Sequence, residues 1–164
     1  MPLSLLHVMK TLAALGAACL IAFTTTGTDT STSPVFQLRL VLDAASSDSE
    51  PMTLLSPGKT AEVIQVQKAV LLDQTALKSA KVEADGRGGS QILIKFTAAG
   101  RKRFAEITRA NIDKRLAIIV AGRACCAPVI KSEIADGTAV ITGSFTKDEA
   151  KDLAKKINDA LSKK

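Results

Sequence analysis

From Val35 onward the order of apolar and polar residues changes rhythm several times, and each rhythm predicts an element. Phe36–Leu42 (FQLRLVL) begins with the alternation of a half-buried strand. Ala44–Pro57 (AASSDSEPMTLLSP) reads as a polar loop interrupted by a short apolar piece. Val63–Val66 predicts a short strand, and Leu71–Leu77 a brief helical turn entering the strand Ala80–Ala84. Asp85-Gly86-Arg87-Gly88-Gly89 is rich in turn residues and should close a hairpin onto Ile92–Phe96. Thr97 is placed to cap a helix running to about Asp113, with Phe104, Ile107 and Ile112 at helical spacing. Leu116–Val120 is apolar without interruption and predicts a central strand. The order strand, helix, strand predicts a right-handed crossover and a parallel pair around the helix. A second ribbon runs through Ala124–Ile130, broken by Pro128, and Asp136-Gly137 turns the chain into a strand at Ala139–Thr142.

The last helix has the clearest signature. Thr146-Lys147-Asp148-Glu149 is a capping box, in which the Thr hydroxyl and the Glu carboxylate each satisfy an orphan backbone N–H. Ala150, Leu153, Ala154, Ile157 and Leu161 follow as one apolar stripe, with acidic residues at the start and lysines crowding the end. The expected fold class is therefore α+β: a mixed, mostly antiparallel sheet with two main helices packed on one face.

Ahead of this domain the rhythm is different. Lys10 precedes the continuous apolar run Thr11–Phe23 (TLAALGAACLIAF), which matches a secretory signal and is short for a spanning helix. Residues 1–27 are thus a signal peptide or an amino-terminal anchor, with a buried helix of the domain as a third reading. Residues 28–34 form a polar linker, and 35–164 form the domain. The expected location is outside the cytoplasm, in the periplasm or on the outer face of the cytoplasmic membrane, with anchoring through the N-terminus left open. Cys19, after Leu15-Gly16-Ala17-Ala18, loosely resembles the acylated cysteine of a lipoprotein box. Gly16 and the apolar residues beyond Cys19 favour a plain signal sequence over lipidation at Cys19.

Composition narrows the chemistry. Among 164 residues there is one histidine, His7 in the leader, and no Tyr or Trp. A mature domain without imidazole excludes Ser/His and Cys/His catalysis and histidine-ligated metals. Asp85, Glu133 and Asp136 sit in turn sequences with no metal-loop or acid/base spacing, and no Gly-rich phosphate loop stands between a strand and a helix. We expect no enzymatic activity, no cofactor and no metal site. The net charge of +6 points to anionic partners. Nucleic acid is set aside because no aromatic platform accompanies the charge, and the lone Arg87-Gly88-Gly89 lies in a turn.

Four segments carry a family resemblance: Leu77-Lys78-Ser79-Ala80-Lys81-Val82; Phe104-Ala105-Glu106-Ile107-Thr108 with Asn111-Ile112; Arg115–Val120 leading through Gly122 to Ala127-Pro128-Val129-Ile130; and Ile141–Thr146 with Glu149-Ala150. In order and spacing, Ala76–Lys163 resembles the head subdomain of the first periplasmic domain of SecD, the accessory subunit of the bacterial Sec protein-export machinery. The resemblance implies a head without the base subdomain or the membrane-spanning motor. It implies partners among exported polypeptides or Sec translocase components, and a non-catalytic role in Sec-dependent translocation. A membrane surface is a further candidate partner, and the oligomeric state is left undetermined. The chain departs from the family pattern at Ala121, where an acidic residue tends to precede the glycine, and at Cys125-Cys126, where Ile-Ser tends to precede Ala-Pro.

Two features invite a binding or chemical reading. Cys125 and Cys126 are adjacent on the predicted ribbon, so one thiol should be buried and the other more exposed. They read as packing residues, with thiol exchange or soft-metal binding as the alternative. Arg101, Lys102, Arg103 and Arg109 form the densest basic group, joined by Lys114 and Arg115, while Lys147, Lys151 and Lys155 share one face of the last helix. A basic surface of this kind suits anionic lipid or acidic polypeptide; ordinary solvated helix faces are the simpler reading. An envelope protein with an unrelated binding role, or a small thiol or metal protein, are the competing functions.

Overall fold

In a computed structural model, the protein is described at residues 33–54, 60–86, 88–143 and 145–163. The leader, the linker up to residue 32 and Cys19 lie outside the described residues. In chain order the strands are β1 (Phe36–Leu42), β2 (Ser49–Leu54), β3 (Glu62–Gln67), β4 (Leu72–Asp73), β5 (Leu77–Ala84), β6 (Ser90–Phe96), β7 (Leu116–Val120), β8 (Arg123–Cys126) and β9 (Thr138–Ile141). Helix α1 (Ala98–Ala110) lies between β6 and β7, and α2 (Lys147–Leu161) comes last. The class is α+β with mixed, mostly antiparallel pairing, as expected, but the strands divide between two sheets.

The first sheet closes on itself. β1 pairs with β7 along Phe36–Leu40 and with β3 at Val41 and Leu42; β3 pairs with β2, β2 with β8, and β8 with β7. The result is a five-stranded barrel, with the two-residue β4 added beside β1. A barrel of five strands encloses little space, and its lining includes the small Ala117 and Ala124 beside Leu54, Ile64, Val66 and Ile119. The second sheet has the order β5-β6-β9, all antiparallel.

β7 serves both cores. Its five residues are all buried. Leu116, Ile118 and Val120 join the larger core, and Ala117 and Ile119 fill the barrel. That is why an uninterrupted apolar run marks this strand: period-two alternation puts successive side chains on opposite faces, and here both faces are covered. The larger core is completed by the inner face of the second sheet (Leu77, Ala80, Ile92, Ile94, Phe96, Ile141) and by both helices. Phe96 stacks on Phe104 with ring centroids 4.7 Å apart, fixing α1 to β6. From α2, Ala150, Leu153, Ala154 and Ile157 are buried at the predicted spacing, and the Thr146–Glu149 capping box forms in full.

Several expectations are corrected. Ser49–Leu54 is strand β2, not loop; Ser and Pro51 hide it from pattern reading, and its partner β3 supplies the order along its whole length. The helix after β6 is not a crossover within one sheet, because β7 is taken up by β1 and β8 while β6 lies between β5 and β9. The parallel pair is instead β2–β8, at Leu54 and Ala124. Ile112 lies past the end of α1, which stops at Ala110 with Asn111 as its cap, and is 46% exposed.

Two local devices hold the layers in register. The side-chain amide of Asn158 donates to the Ala80 carbonyl at 2.8 Å and accepts from the Ala80 N–H at 3.0 Å, so α2 caps the edge of β5. On α1, the buried Thr108 hydroxyl donates to Phe104 O and accepts from the Ile134 N–H, tying down the β8–β9 connection.

Two substitutions test this packing. A Cβ on Gly100 would lie 2.1 Å from the Ala76 carbonyl oxygen, a backbone atom that cannot rotate away. Gly100→Ala should therefore lower stability in urea unfolding by roughly 2 kcal/mol or more, despite alanine's better helix propensity. Ala121 and Gly122, the two residues linking β7 to β8, have φ of 50° and 77°. Asparagine tolerates that left-handed region better than alanine, so Ala121→Asn should raise stability by about 0.5 kcal/mol in the same assay.

Candidate interaction surfaces

The structure splits the basic residues of α1 between two roles. Lys102 and Arg109, seven apart, are exposed on one side of the helix. Arg101 instead lays its stem over the Gly137 turn, and its Nε donates to the Ala135 carbonyl at 2.6 Å, a second tie to the β8–β9 connection. Arg103 reaches Glu106 at 3.5 Å. Beyond the helix, Lys114 donates to Asn111 Oδ1 at 3.1 Å. Arg115 holds Glu62 with both terminal nitrogens, at 2.6 and 3.2 Å, and donates from Nε to Ala127 O. On α2, Lys151 pairs with Asp148, Lys155 with Asp159 and Lys156 with Asp152. Of the basic group singled out in the sequence, Lys102 and Arg109 keep their charge most available, because most of the others hold carboxylates or backbone carbonyls within the domain.

A cleft of about 630 Å³ opens where the end of β1, the start of β3 and the α1–β7 turn meet. Leu40, Leu42, Val63 and Val129 supply apolar surface, and Glu62 and Arg115 stand among its lining residues. Val63 is 66% exposed, unusual for a valine on a strand. Open and part-apolar, the cleft suits contact with a polypeptide better than enclosure of a small molecule. Among the described residues no group of three His, Cys, Asp or Glu side chains comes together to hold a metal ion.

Cys125 is buried and Cys126 the more exposed, as expected, but not through simple alternation. The β7–β8 register slips between Ile118 and Ile119, so that Ile119 faces Ala124 while Ile118 faces Cys126. Cys125 is the extra residue of a β-bulge, which breaks the simple alternation. Both side chains consequently border the larger core: Cys125 is buried within it and Cys126 packs half-buried against it. Burial pushes the Cys125 thiol up, partly opposed by the Val120 N–H and the Arg123 charge. Burial, then the neighbouring Cys125, push Cys126 up to about 12, against the pull of the Thr142 N–H. A thiol in such surroundings keeps its proton at neutral pH and is a poor nucleophile or ligand.

Three lysines that pattern reading passes over meet on the second sheet. Lys81 faces Leu93, and Ser79 faces Lys95, with Lys78 at the register shift beside it. The sequence signal was weak, a lysine on either side of an alternating strand, and only the pairing of β5 with β6 brings them together.

The chain matches the family described as "SecDF, P1 head subdomain" over residues 49–161. It belongs to that family. It is 39% identical over 97 residues to the protein translocase subunit SecD of Magnetococcus marinus, covering 59% of this chain and 18% of that protein. A crystal structure of SecDF in a super-membrane-facing form superposes with a TM-score of 0.62 at 30% identity, covering 76% of this chain and 18% of that one. A second structure, of SecDF as a membrane component that enhances protein export, gives a TM-score of 0.61 at 29% identity, covering 76% of this chain and 61% of that one. The chain thus spans about a fifth of the length of the SecD relative. Among the described residues, no helix of this SecDF head is long and apolar enough to cross a membrane.

The thiol environment has a measurable consequence. A water-soluble disulfide reagent should label neither Cys125 nor Cys126 in the folded protein at pH 7, and both after unfolding. The thiol pKa values are raised on folding, so this contribution to stability is intact below the unfolded value near 9 and is lost as pH rises toward 12. Denaturant melts between pH 8 and 11 should show wild type losing stability faster than Cys126→Ala.

Proposed function

We propose that this SecDF head acts as an interaction module of the cell envelope, accessory to Sec-dependent protein translocation, working by contact and not by chemistry. Membership of the head family over residues 49–161 carries the reading. It is supported by the SecD relative's description as a protein translocase subunit and by a SecDF neighbour described as enhancing protein export. The surfaces described above suit the role: a rigid two-layer scaffold presents an open part-apolar cleft and cationic faces, the kind of surface that meets a passing polypeptide or a translocase subunit. The leader would deliver the domain to the periplasm or to the outer face of the cytoplasmic membrane.

Two other roles compete. An unrelated envelope partner is compatible with the same fold, since fold does not dictate function. A thiol or metal function through Cys125 and Cys126 is disfavoured by their packing against the core.

In-cell crosslinking of the exported protein separates these roles. Recovery of exported chains in transit or of Sec components is the expected result, unchanged when both cysteines are replaced by serine. Recovery of neither class would overturn the proposal, and loss of function in the serine variant would restore the thiol reading.

A further inference from the structure

The second sheet buries one face under the helices and the barrel and leaves the other in solvent. Its outward rows follow from the register. Lys81, Leu93 and Val140 line up across β5, β6 and β9, and Ser79, Lys95 and Thr138 form the next row. Leu77 and Ala80 are both buried on the inner face. The two residues between them, Lys78 and Ser79, therefore both fall on the outer side of the bulge. The irregularity sets Lys78 and Ser79 together on that face, where regular pleating would have put only one of them.

Lys78, Lys81 and Lys95 are all exposed on neighbouring strands, and Val140 beside Leu93 is 41% exposed. Lys81 and Lys95 are diagonal neighbours on adjacent strands, within range of mutual repulsion though not directly opposite. Several of the domain's other cations are compensated, as with the three lysine–aspartate pairs of α2 and with Arg39–Glu50 and Arg115–Glu62. These three lysines form no ion pair with a described residue. Such a local cost, uncompensated within the fold, is the pattern of a surface shaped for a partner.

We infer that the outer face of the β5-β6-β9 sheet is a docking surface for an acidic, part-apolar segment of polypeptide, its carboxylates meeting the lysines and its aliphatic side chains covering Leu93 and Val140. The inference rests on the proposed function and names the class of chain that the head would contact. Charge complementarity selects the acidic segment. Shape selects a polypeptide over a bilayer: Glu83 stands on the same face one row beyond Lys81, where a flat anionic membrane would press against it and a narrow segment would pass it by.

Fluorescence anisotropy with the whole protein tests this, using a short fluorescent peptide that alternates Glu with Leu and a twin with Lys in place of Glu. The Glu peptide should bind, weaken with added salt, and lose about tenfold in affinity when Lys78→Glu, Lys81→Glu and Lys95→Glu are combined. The Lys twin should not bind, and Lys68→Glu with Lys131→Glu, both exposed and outside the surfaces described above, should leave affinity unchanged. A Lys→Gln version of the triple variant, checked by circular dichroism, should give an intermediate loss if charge is the cause. Failure of the Glu peptide to bind wild type, or equal loss in the Lys68/Lys131 variant, overturns the inference. So does binding of phosphatidylglycerol vesicles in its place with the same dependence on the three lysines. In-cell crosslinking then separates the two claims: a triple variant that captures exported chains as well as wild type sinks this surface but leaves the proposed function standing, whereas a wild type that captures none sinks that function.

Discussion

The architecture depends on one strand with no solvent-facing side. β7 is five residues long, is buried throughout and divides its side chains between two cores. Leu116, Ile118 and Val120 stabilise the layer of sheet and helices, while Ala117 and Ile119 close the barrel. Burial of an aliphatic side chain contributes roughly 1.5–3 kcal/mol, so a strand that contributes on both sides couples the two units strongly. Opening the barrel would uncover the back of the larger core. The two sheets are thereby parts of one domain and not independent pieces joined by loops.

From that shared wall the remaining features follow as ways of fitting the chain around it. The bulge at Cys125 lets β8 follow β7 while turning both thiols toward the larger core. The β8–β9 connection must then cross from barrel to second sheet, and it is held by α1, through Thr108 to Ile134 and through Arg101 to Ala135. Asn158 does the corresponding work for α2, filling the edge of β5 at Ala80 with an amide that acts as a strand's peptide group would. Polar side chains thus specify alignment, and apolar ones supply most of the stabilisation.

The same logic sorts the charges. A cation with a partner inside the domain is a positioning element, whatever its place on a helical wheel, because its hydrogen bonds are already committed. Arg115, gripping Glu62 across the barrel mouth, is the plainest case. Lys151, Lys155 and Lys156 of α2 belong to solvated helical pairs of the ordinary kind, worth a few tenths of a kcal/mol each. What distinguishes Lys78, Lys81 and Lys95 is adjacency without compensation, a property of strand pairing and not of local sequence.

Local sequence was sufficient where a signal and its consequence lie within a few residues. The capping box at Thr146, the stripe on α2, the Thr97 cap, the turn between β5 and β6 and the uninterrupted apolar β7 were all legible, as was the SecDF head pattern. Alternation in β6 marked Ile92, Ile94 and Phe96 as buried, whereas in β1 the polar Gln37 is buried between Phe36 and Leu38. Alternation could not tell what would cover them. Strand pairing is a contact between distant segments, and the period of two is the same whichever neighbour a strand finds. Only the tertiary structure therefore decided that Ser49–Leu54 is a strand, that five strands close into a barrel, that the parallel pair is β2–β8, and that a slip in each sheet sets Cys125 and Cys126 together toward the larger core and Lys78 and Ser79 together outward.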